Sequence, residues 1–153
     1  TYDYATGLLM KQTNPDGSYV TYTYNSKGLP LSKTSIKGST SSSVQYAYNI
    51  FGQVSKITDN AGKSVLYDYD SSGNVIKSTT TTNGSDEIKT LYTYDEFNRL
   101  KTVTSPKQEV TTYNYLPTGE LYQIIDPKNK ITKFDYDNKG NLIRKTDPIG
   151  RVN

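Results

Sequence analysis

A short aromatic motif recurs along this chain at a nearly constant interval. An aromatic residue, any residue and a tyrosine occur together seven times, at Tyr2/Tyr4, Tyr22/Tyr24, Tyr46/Tyr48, Tyr67/Tyr69, Tyr92/Tyr94, Tyr113/Tyr115 and Phe134/Tyr136. The second tyrosines are separated by 20, 24, 21, 25, 21 and 21 residues, and the longer steps coincide with Ser/Thr/Gly-rich stretches at 37–43 and 79–86. We interpret those stretches as loop insertions. The period of about 21 residues predicts a repeat architecture.

Each motif has the alternation of a half-covered β-strand. A β-branched residue lies four positions before the second tyrosine, at Val20, Val44, Val65, Thr90, Thr111 and Thr132. Because side chains alternate along a strand, these residues and both aromatics lie on one face, and the mostly polar intervening residues lie on the other. The pattern predicts that Tyr69 and Tyr94 are largely buried and that Asp68 and Thr93 are exposed.

Turn residues follow each strand. Segments that begin with Asp or Asn and end with Gly or Asn lie at 25–28, 49–52, 70–73, 95–98 and 137–140. The acid or amide bonds the backbone two residues on, and Gly supplies the positive φ that closes the turn. Asn98 replaces Gly because Asn tolerates the left-handed region. Two turns depart from the pattern: the one at 116–119 lacks the acid, and the first unit is one residue short between Tyr4 and Gly7.

A return strand follows each of these turns. It carries an apolar residue two positions past the turn glycine, at Leu9, Val54, Val75, Leu100, Leu121 and Leu142. It ends in a second turn, at 14–17, 59–62, 126–129 and 147–150. In some units another apolar residue lies five positions past the glycine, at Ile57, Val103 and Ile124. This change of parity predicts a β-bulge or strong twist between the two positions.

Composition excludes several classes of function. The chain has no His and no Cys, so the common nucleophile–base pairs and zinc sites cannot form. A net charge of +3 with interspersed signs gives no clustered basic face, so no nucleic acid partner is expected. No apolar stretch is long enough for a membrane span, and no signal peptide is recognisable. The absence of an initiator Met, with Thr1 inside a strand pattern, indicates a segment of a longer chain.

A calcium site is the first chemical alternative that the motifs raise. Residues 68–73 match the first half of a calcium-binding loop, but Thr79 occupies the position where an acid is required. Asp135 and Asp137 repeat the spacing with Lys139 at the fifth position, which is a poorer match. Both segments are explained as strand and turn, so no metal site is predicted.

Carboxylate chemistry is the second alternative. Asp126 with Asp147, or Asp95 with Glu96, could act as general acid and base, but the repeat places these acids mainly at turn starts, where their oxygens bind backbone. A glycosylation sequon at 83–85 reads equally well as a turn. We therefore assign no catalytic, cofactor-binding or metal-binding residue, no cofactor and no enzymatic activity.

The aromatic array itself has two interpretations. Aromatic surfaces stack on sugars, which would make the chain a carbohydrate-binding or adhesion module at the cell surface. Its regular placement on one face also fits packing between neighbouring strands, where an aromatic pair contributes about 0.2 to 1 kcal/mol. The absence of Trp favours packing.

The motif Tyr-x-Tyr-Asp-x-x-Gly-x-Leu followed by Thr-Asp-Pro-x-Gly resembles the YD repeats of RHS-repeat proteins. It is clearest at 67–75 and 134–150. The resemblance implies a spiralling β-sheet that forms part of a hollow shell, as in bacterial RHS proteins, insecticidal toxin complexes, wall-associated polymorphic toxins and the teneurins. Bacterial members carry a variable toxin domain inside or after the shell. The element at 147–150 resembles the start of their self-cleaving region but equals the ordinary repeat turn, so no protease residue is assigned.

These observations predict an all-β fold of tandem antiparallel hairpins in one curved sheet, with residues 1–153 forming a single array of about seven repeats and no second domain. The expected function is a structural segment of a secreted, surface or cell-wall protein that encloses, carries or displays a toxin or effector. The expected partners are neighbouring repeats of the same parent and that toxin domain. Terminal strands are open templates for pairing, so copies should associate edge to edge or end to end.

Overall fold

The computed structural model describes residues 1–82 and 86–152, with only the backbone described at residue 86. These residues form strands and turns and contain no helix. The strands are β1 (Lys11–Thr13), β2 (Tyr19–Tyr24), β3 (Pro30–Lys37), β4 (Thr40–Tyr48), β5 (Val54–Asp59), β6 (Ser64–Tyr69), β7 (Val75–Thr82), β8 (Asp86–Tyr94), β9 (Leu100–Thr104), β10 (Val110–Tyr115), β11 (Leu121–Ile125), β12 (Ile131–Tyr136) and β13 (Leu142–Thr146). The sequon at 83–85 lies outside the described residues.

The strands follow one another through one sheet in chain order. Each pair of neighbours whose register is described is antiparallel, as expected for successive hairpins. The chain divides into two compact units, one of Thr1–Asp68 with Ser78–Ile88 and one of Tyr69–Lys77 with Lys89–Asn153. The predicted all-β fold of tandem antiparallel hairpins is confirmed.

Most of the predicted turns share one hydrogen-bonding scheme, which the turn at Asp137 illustrates. The amide of Gly140 donates to the Asp137 carbonyl at 3.0 Å, and the amide of Asp137 donates to the Asn141 carbonyl at 2.9 Å. The Asp137 carboxylate accepts from the amides of Lys139 and Asn141 at 2.8 and 2.9 Å. Gly140 has φ +80°, which the absence of a Cβ makes favourable. These are the short hairpin connections that close with a left-handed residue.

The predicted β-bulge is present in the return strands. In five described strand pairs, β2–β3, β4–β5, β8–β9, β10–β11 and β12–β13, the register shifts by one residue directly opposite the tyrosine that ends the first strand. The extra residue is Leu31, Ser55, Lys101, Tyr122 or Ile143. The shift explains the change of parity noted in the sequence. Beyond it, the apolar residues lie opposite aromatics of the facing strand, in the pairs Ile57–Tyr46, Val103–Tyr92 and Ile124–Tyr113.

The two faces have the predicted parity but not the predicted degree of burial. Asp68 and Thr93 are exposed, whereas Tyr69 and Tyr94 are half-buried and not largely buried. Among the residues that the structure describes, no hydrophobic residue is buried, and the only buried residues are Ser64 and Thr79. The physical reason is that all described strands belong to one sheet, so no second layer covers the tyrosine face.

In the first repeat, the tyrosine that ends the strand is not the one that the sequence analysis assigned. Tyr2, not Tyr4, pairs with Leu9 in the way that each later strand tyrosine pairs with its apolar partner. Asp3 starts the turn and accepts hydrogen bonds from the amides of Ala5 and Thr6 at 3.1 and 2.8 Å. Tyr4 is therefore a fully exposed turn residue. Counted from Tyr2, this turn is one residue longer than the others. The sequence analysis counted from Tyr4, so its prediction that the first unit is one residue short is wrong.

Candidate functional site

The functional surface of a repeat array is the contact between successive repeats, which we call the joint. Four positions of each repeat form the joint. The joint tyrosine ends the strand, and the turn residue is the one with positive φ. The stacking residue directly follows the turn residue, and the acceptor residue directly follows the stacking residue. In the repeat that begins its turn at Asp137 these are Tyr136, Gly140, Asn141 and Leu142.

The joint tyrosine binds backbone of the preceding repeat. In five repeats its hydroxyl donates to the carbonyl oxygen of the preceding acceptor residue, and the pairs are Tyr24–Leu9 (2.8 Å), Tyr48–Pro30 (2.6 Å), Tyr94–Val75 (2.9 Å), Tyr115–Leu100 (2.9 Å) and Tyr136–Leu121 (3.0 Å). The two longer separations along the chain, 18 and 19 residues against 15, span the loop insertions. The bond is thus independent of the length of the intervening loop.

The acceptor carbonyl is available because the backbone ladder between repeats stops short of it. Between β11 and β12 the last described pair is Gln123 with Lys133, two residues away from Leu121. Between β9 and β10 it is Thr102 with Thr112, two residues away from Leu100. Backbone carbonyls that lose water need a partner, and the tyrosine hydroxyl supplies one. The bulge and the tyrosine bond therefore occur together at Leu100 and Leu121.

The stacking residue covers the turn residue of the next repeat. A Cβ placed on Gly28 would lie 3.9 Å from Leu8, and one placed on Gly52 would lie 3.7 Å from Leu29. Where the turn residue is Asn98, the Asn74 side-chain amide donates to the side-chain oxygen Oδ1 of Asn98 at 2.9 Å. The same contact is thus made by apolar and by polar pairs.

Arg99 contacts both its own turn and the next repeat. Its Nε binds the Asp95 carboxylate at 2.7 Å, and another nitrogen of the guanidinium donates to the Leu116 carbonyl at 3.3 Å. The guanidinium carbon lies 4.6 Å from the centroid of the Tyr115 ring and 5.0 Å from that of Phe97. Leu116 starts the turn that lacks an acid. Arg99 therefore bridges a normal turn to the irregular one that follows it.

Glu120 is the stacking residue of that irregular turn. Its Oε1 would lie 3.1 Å from a Cβ on Gly140, which is a close approach. Its Oε2 is buried and has no hydrogen-bond partner. A hydrogen bond from the Thr118 side chain lowers the pKa of the Glu120 carboxyl below its ordinary value. This joint therefore contains a carboxylate with one oxygen close to a glycine and the other without a hydrogen-bond partner.

The acids considered for chemistry have structural roles. Asp70, from the calcium-like segment, accepts from the amides of Ser72 and Asn74 at 2.9 Å, and these bonds, the Asn74 amide foremost, lower its pKa. Asp126 accepts from two backbone amides of its own turn at 2.8 Å. Thr79, the failed twelfth position, is buried within β7.

The remaining acids of the two carboxylate pairs, Asp95, Glu96 and Asp147, also lie in turns. Asp95 accepts from the amides of Phe97 and Arg99 at 2.9 Å. Asp147 accepts from the Arg151 amide and, at 2.6 Å, from Arg151 Nε, which lowers its pKa. Glu96 is exposed in the turn. Within residues 1–82 and 86–152 no three acidic, His or Cys side chains are grouped as metal ligands, and no helix could span a membrane.

Burial affects the hydroxyls of three of the joint tyrosines. Burial raises the pKa of the hydroxyls of Tyr48, Tyr94 and Tyr115 above the ordinary value of 10.0. A phenol must keep its proton to donate to a carbonyl, so the raised pKa and the hydrogen bond support each other.

The sequence analysis identified the joint tyrosines, the turn residues and most acceptor positions, the latter only as apolar residues and without Pro30, and it missed the stacking residues. These are Leu8, Leu29, Asn74, Arg99 and Glu120 among the contacts described above. These residues share only their position directly after the turn residue. Their side chains are apolar, polar, basic or acidic, so no residue pattern identifies them.

Sequence relatives of known activity are large bacterial proteins. The chain is 30% identical over 101 residues to tRNA nuclease WapA of Bacillus subtilis (strain 168), a match that covers 66% of the chain and 4% of that protein. It is 28% identical over 101 residues to tRNA3(Ser)-specific nuclease WapA of Bacillus spizizenii, with the same coverage. The chain thus spans a small fraction of the length of these curated relatives.

The fold is that of solved toxin-complex proteins. The crystal structure of TcdB2-TccC3-Cdc42 matches with a TM-score of 0.80 and 19% identity, over 94% of this chain and 8% of that chain. The structure of TcdB2-TccC3 without its hypervariable C-terminal region matches with a TM-score of 0.77 and 19% identity, over 92% and 8%. The family model "RHS Repeat" matches residues 2–40, 48–87 and 69–110, which together are more than half of the chain. With its repeated Tyr-Asp strands, bulges and joints, the chain belongs to the RHS-repeat family.

Proposed function

We propose that this structural RHS-repeat segment is part of the shell of a longer protein, and that the shell encloses, carries or displays a toxin or effector domain. The observation that carries the proposal is the recurring joint, in which tyrosine hydroxyls bind the preceding repeat at five places. Such a device adds repeats one after another whatever the length of their loops. We further propose that residues 1–153 act as one array in which stability depends on nearest neighbours.

The names of similar proteins support the toxin part of the proposal. The curated relatives are nucleases, and one solved relative is described without a hypervariable C-terminal region. The chain covers only 4% of the former and 8% of the latter. We infer that the activity of such a protein resides outside the repeats. Secretion, or display at the bacterial surface or cell wall, follows from the same proposal.

We propose that the segment itself is not catalytic. The sequence has no His and no Cys, and the acids of the described turns bind backbone amides. The purified chain should therefore hydrolyse no tRNA, ester, peptide or glycoside above background. Turnover that is reproducible between preparations and abolished by one Asp→Asn substitution would overturn this part of the proposal.

Protease protection in the full-length parent tests the shell. If the repeats enclose a domain, a protease should cut that domain slowly in the parent and rapidly once the joints are weakened by Tyr115→Phe with Tyr136→Phe. Tyr113→Phe is the matched control, because Tyr113 lies on the same face two residues before Tyr115 and is not a joint tyrosine. Equal cleavage rates for the parent, the double variant and the control would contradict enclosure.

A carbohydrate-binding or adhesion module is the second candidate, and the incomplete burial of the tyrosine face favours it. Half-exposed rings remain available for stacking on sugars. A glycan array distinguishes the candidates, because a shell segment should bind no glycan, whereas an adhesion module should bind a related set of glycans. Selective binding that is lost on Tyr113→Ala but kept on Tyr4→Ala would support the second candidate.

A further inference from the structure

A cavity lies beside Glu120, in the joint between the turns at 116–119 and 137–140. Its volume is about 300 Å³, and Glu120, Tyr136 and Asp137 are among its lining residues. Two others, Asn138 and Gly140, are exposed, so the cavity opens to solvent. Pockets that bind small ligands begin at about this size.

In the preceding joint, the equivalent position is occupied by the guanidinium of Arg99. That guanidinium contacts the Asp95 carboxylate, the rings of Phe97 and Tyr115, and the Leu116 carbonyl. The residues that lie 21 further along the chain than these four all line the cavity, and they are Leu116, Thr118, Tyr136 and Asp137. Glu120 lies 21 residues after Arg99 itself. The cavity is therefore the place of a guanidinium that this joint does not supply.

The cavity carries negative charge without a cation to balance it. Bonds from the Thr118 side chain and the Asn141 side chain lower the pKa values of Glu120 and Asp137, respectively, so both carboxylates are ionised at neutral pH. Neither forms a salt bridge with a described side chain. The buried Oε2 of Glu120 has no hydrogen-bond partner. A buried carboxylate oxygen is costly unless a donor meets it, so the cavity favours a cationic donor.

The lining of the cavity suits a guanidinium better than an ammonium group. Tyr136 lines it in the way that Tyr115 lies 4.6 Å from the guanidinium carbon of Arg99. A planar guanidinium stacks on an aromatic ring and still donates in its own plane to a carboxylate. An ammonium is a compact point charge without a face that stacks. The chemistry of the cavity therefore selects arginine.

From this geometry we propose that the cavity binds an arginine side chain of another polypeptide segment that packs against these turns. The guanidinium stacks on Tyr136 and donates to the Glu120 carboxylate, and Asp137 adds a second negative charge. The site repeats the Arg99 contact with a cation that comes from outside the chain. Because the cavity lies between two repeats of this chain, its failure to bind arginine would leave the shell proposal intact.

Titration of the 153-residue chain with the peptide acetyl-Gly-Arg-Gly-amide, followed by NMR chemical shifts, tests the proposal. We expect saturable shifts centred on Thr118, Glu120 and Gly140, with a dissociation constant on the order of 1 mM, because a single side chain makes few contacts. The same peptide with citrulline in place of arginine is a neutral control of nearly the same shape. It should cause no saturable shifts at these residues.

Substitutions at Glu120 locate the site. Glu120→Gln removes the charge and should weaken binding about tenfold. Glu120→Arg places a guanidinium in the cavity from within, as Arg99 does in the preceding joint, and should abolish binding. Glu96→Gln is the matched control, because it removes the same charge from an exposed turn position that does not line the cavity, and it should leave binding unchanged. Circular dichroism establishes that each variant is folded.

Three results would overturn the proposal. The first is a titration in which the arginine peptide shifts no cavity residue, or shifts acids throughout the chain equally. The second is a citrulline peptide that binds as tightly as the arginine peptide. The third is binding that persists in folded Glu120→Arg. If that variant does not fold, undiminished binding by Glu120→Gln decides against the proposal in its place.

Discussion

The hydroxyl of Tyr115 donates a hydrogen bond to the carbonyl oxygen of Leu100 at 2.9 Å, across the joint between two successive repeats. This contact joins a side chain that recurs in the sequence to a backbone atom beyond the end of the ladder between β9 and β10. Its loss would leave a half-buried carbonyl unsatisfied, and that cost is the basis of the first prediction.

Tyr115→Phe should lower the free energy of unfolding by about 1 to 2 kcal/mol, the usual cost of removing one partner from a hydrogen bond that is partly shielded from water. Urea unfolding followed by far-ultraviolet circular dichroism measures the change. Tyr113→Phe removes a hydroxyl from the same strand and face without breaking a joint and should cost a few tenths of a kcal/mol. Equal losses for the two variants would show that the hydroxyl bond to Leu100 contributes nothing particular.

The turn acids should act through one carboxylate oxygen and not through their charge. Asp137→Ala removes the acceptor for the amides of Lys139 and Asn141 and should cost about 1 kcal/mol. Asp137→Asn keeps an oxygen in the same place and should cost less than half as much. Thermal unfolding of both variants checks this, and an equal loss for the two would mean that charge, not acceptor geometry, matters at this turn.

The unsatisfied oxygen of Glu120 makes Gly140 a site for stabilisation. Gly140→Asn should be neutral or stabilising, because Asn tolerates the φ of +80° and its amide can donate to Glu120. The joint between Asn74 and Asn98 is the natural model for such a pair. Gly140→Ala is the control and should cost about 1 kcal/mol, since Ala brings the strain without the donor. An Asn variant as unstable as the Ala variant would mean that the flexible carboxylate does not adjust.

The strands and turns of this fold were predictable because the same alternation and the same turn residues recur in each repeat. Alternation fixed which face Tyr69 and Thr93 lie on, and the parity change at Ile124 located the bulge. Alternation reports a direction and not what covers a face. The extent of burial was therefore overestimated for Tyr69, since a single sheet has no second layer.

The joint itself was less predictable for two physical reasons. Its acceptor is a backbone carbonyl, which has no sequence signature, so the partner of Tyr115 could not be inferred. The first repeat was misaligned because Tyr4 preserves the aromatic spacing, whereas the turn depends on an acid after the joint tyrosine. Asp3, directly after Tyr2, was the signal that would have placed the turn correctly.

The pH dependence of stability should be set at the alkaline end by the joint tyrosines. Burial raises the pKa of Tyr48, Tyr94 and Tyr115 above the ordinary value of 10.0, so the folded state holds these protons more tightly than the unfolded state does. The stability that they contribute is fully present below about pH 10 and is lost as the pH rises through the raised values. Urea midpoints should therefore be level between pH 7 and 9 and should fall above pH 10.

Replacing the three tyrosines with Phe should lower the midpoint at pH 8 and flatten the alkaline decline, because the titrating hydroxyls are gone. An alkaline decline as steep as in the unmodified chain would assign the effect to other groups.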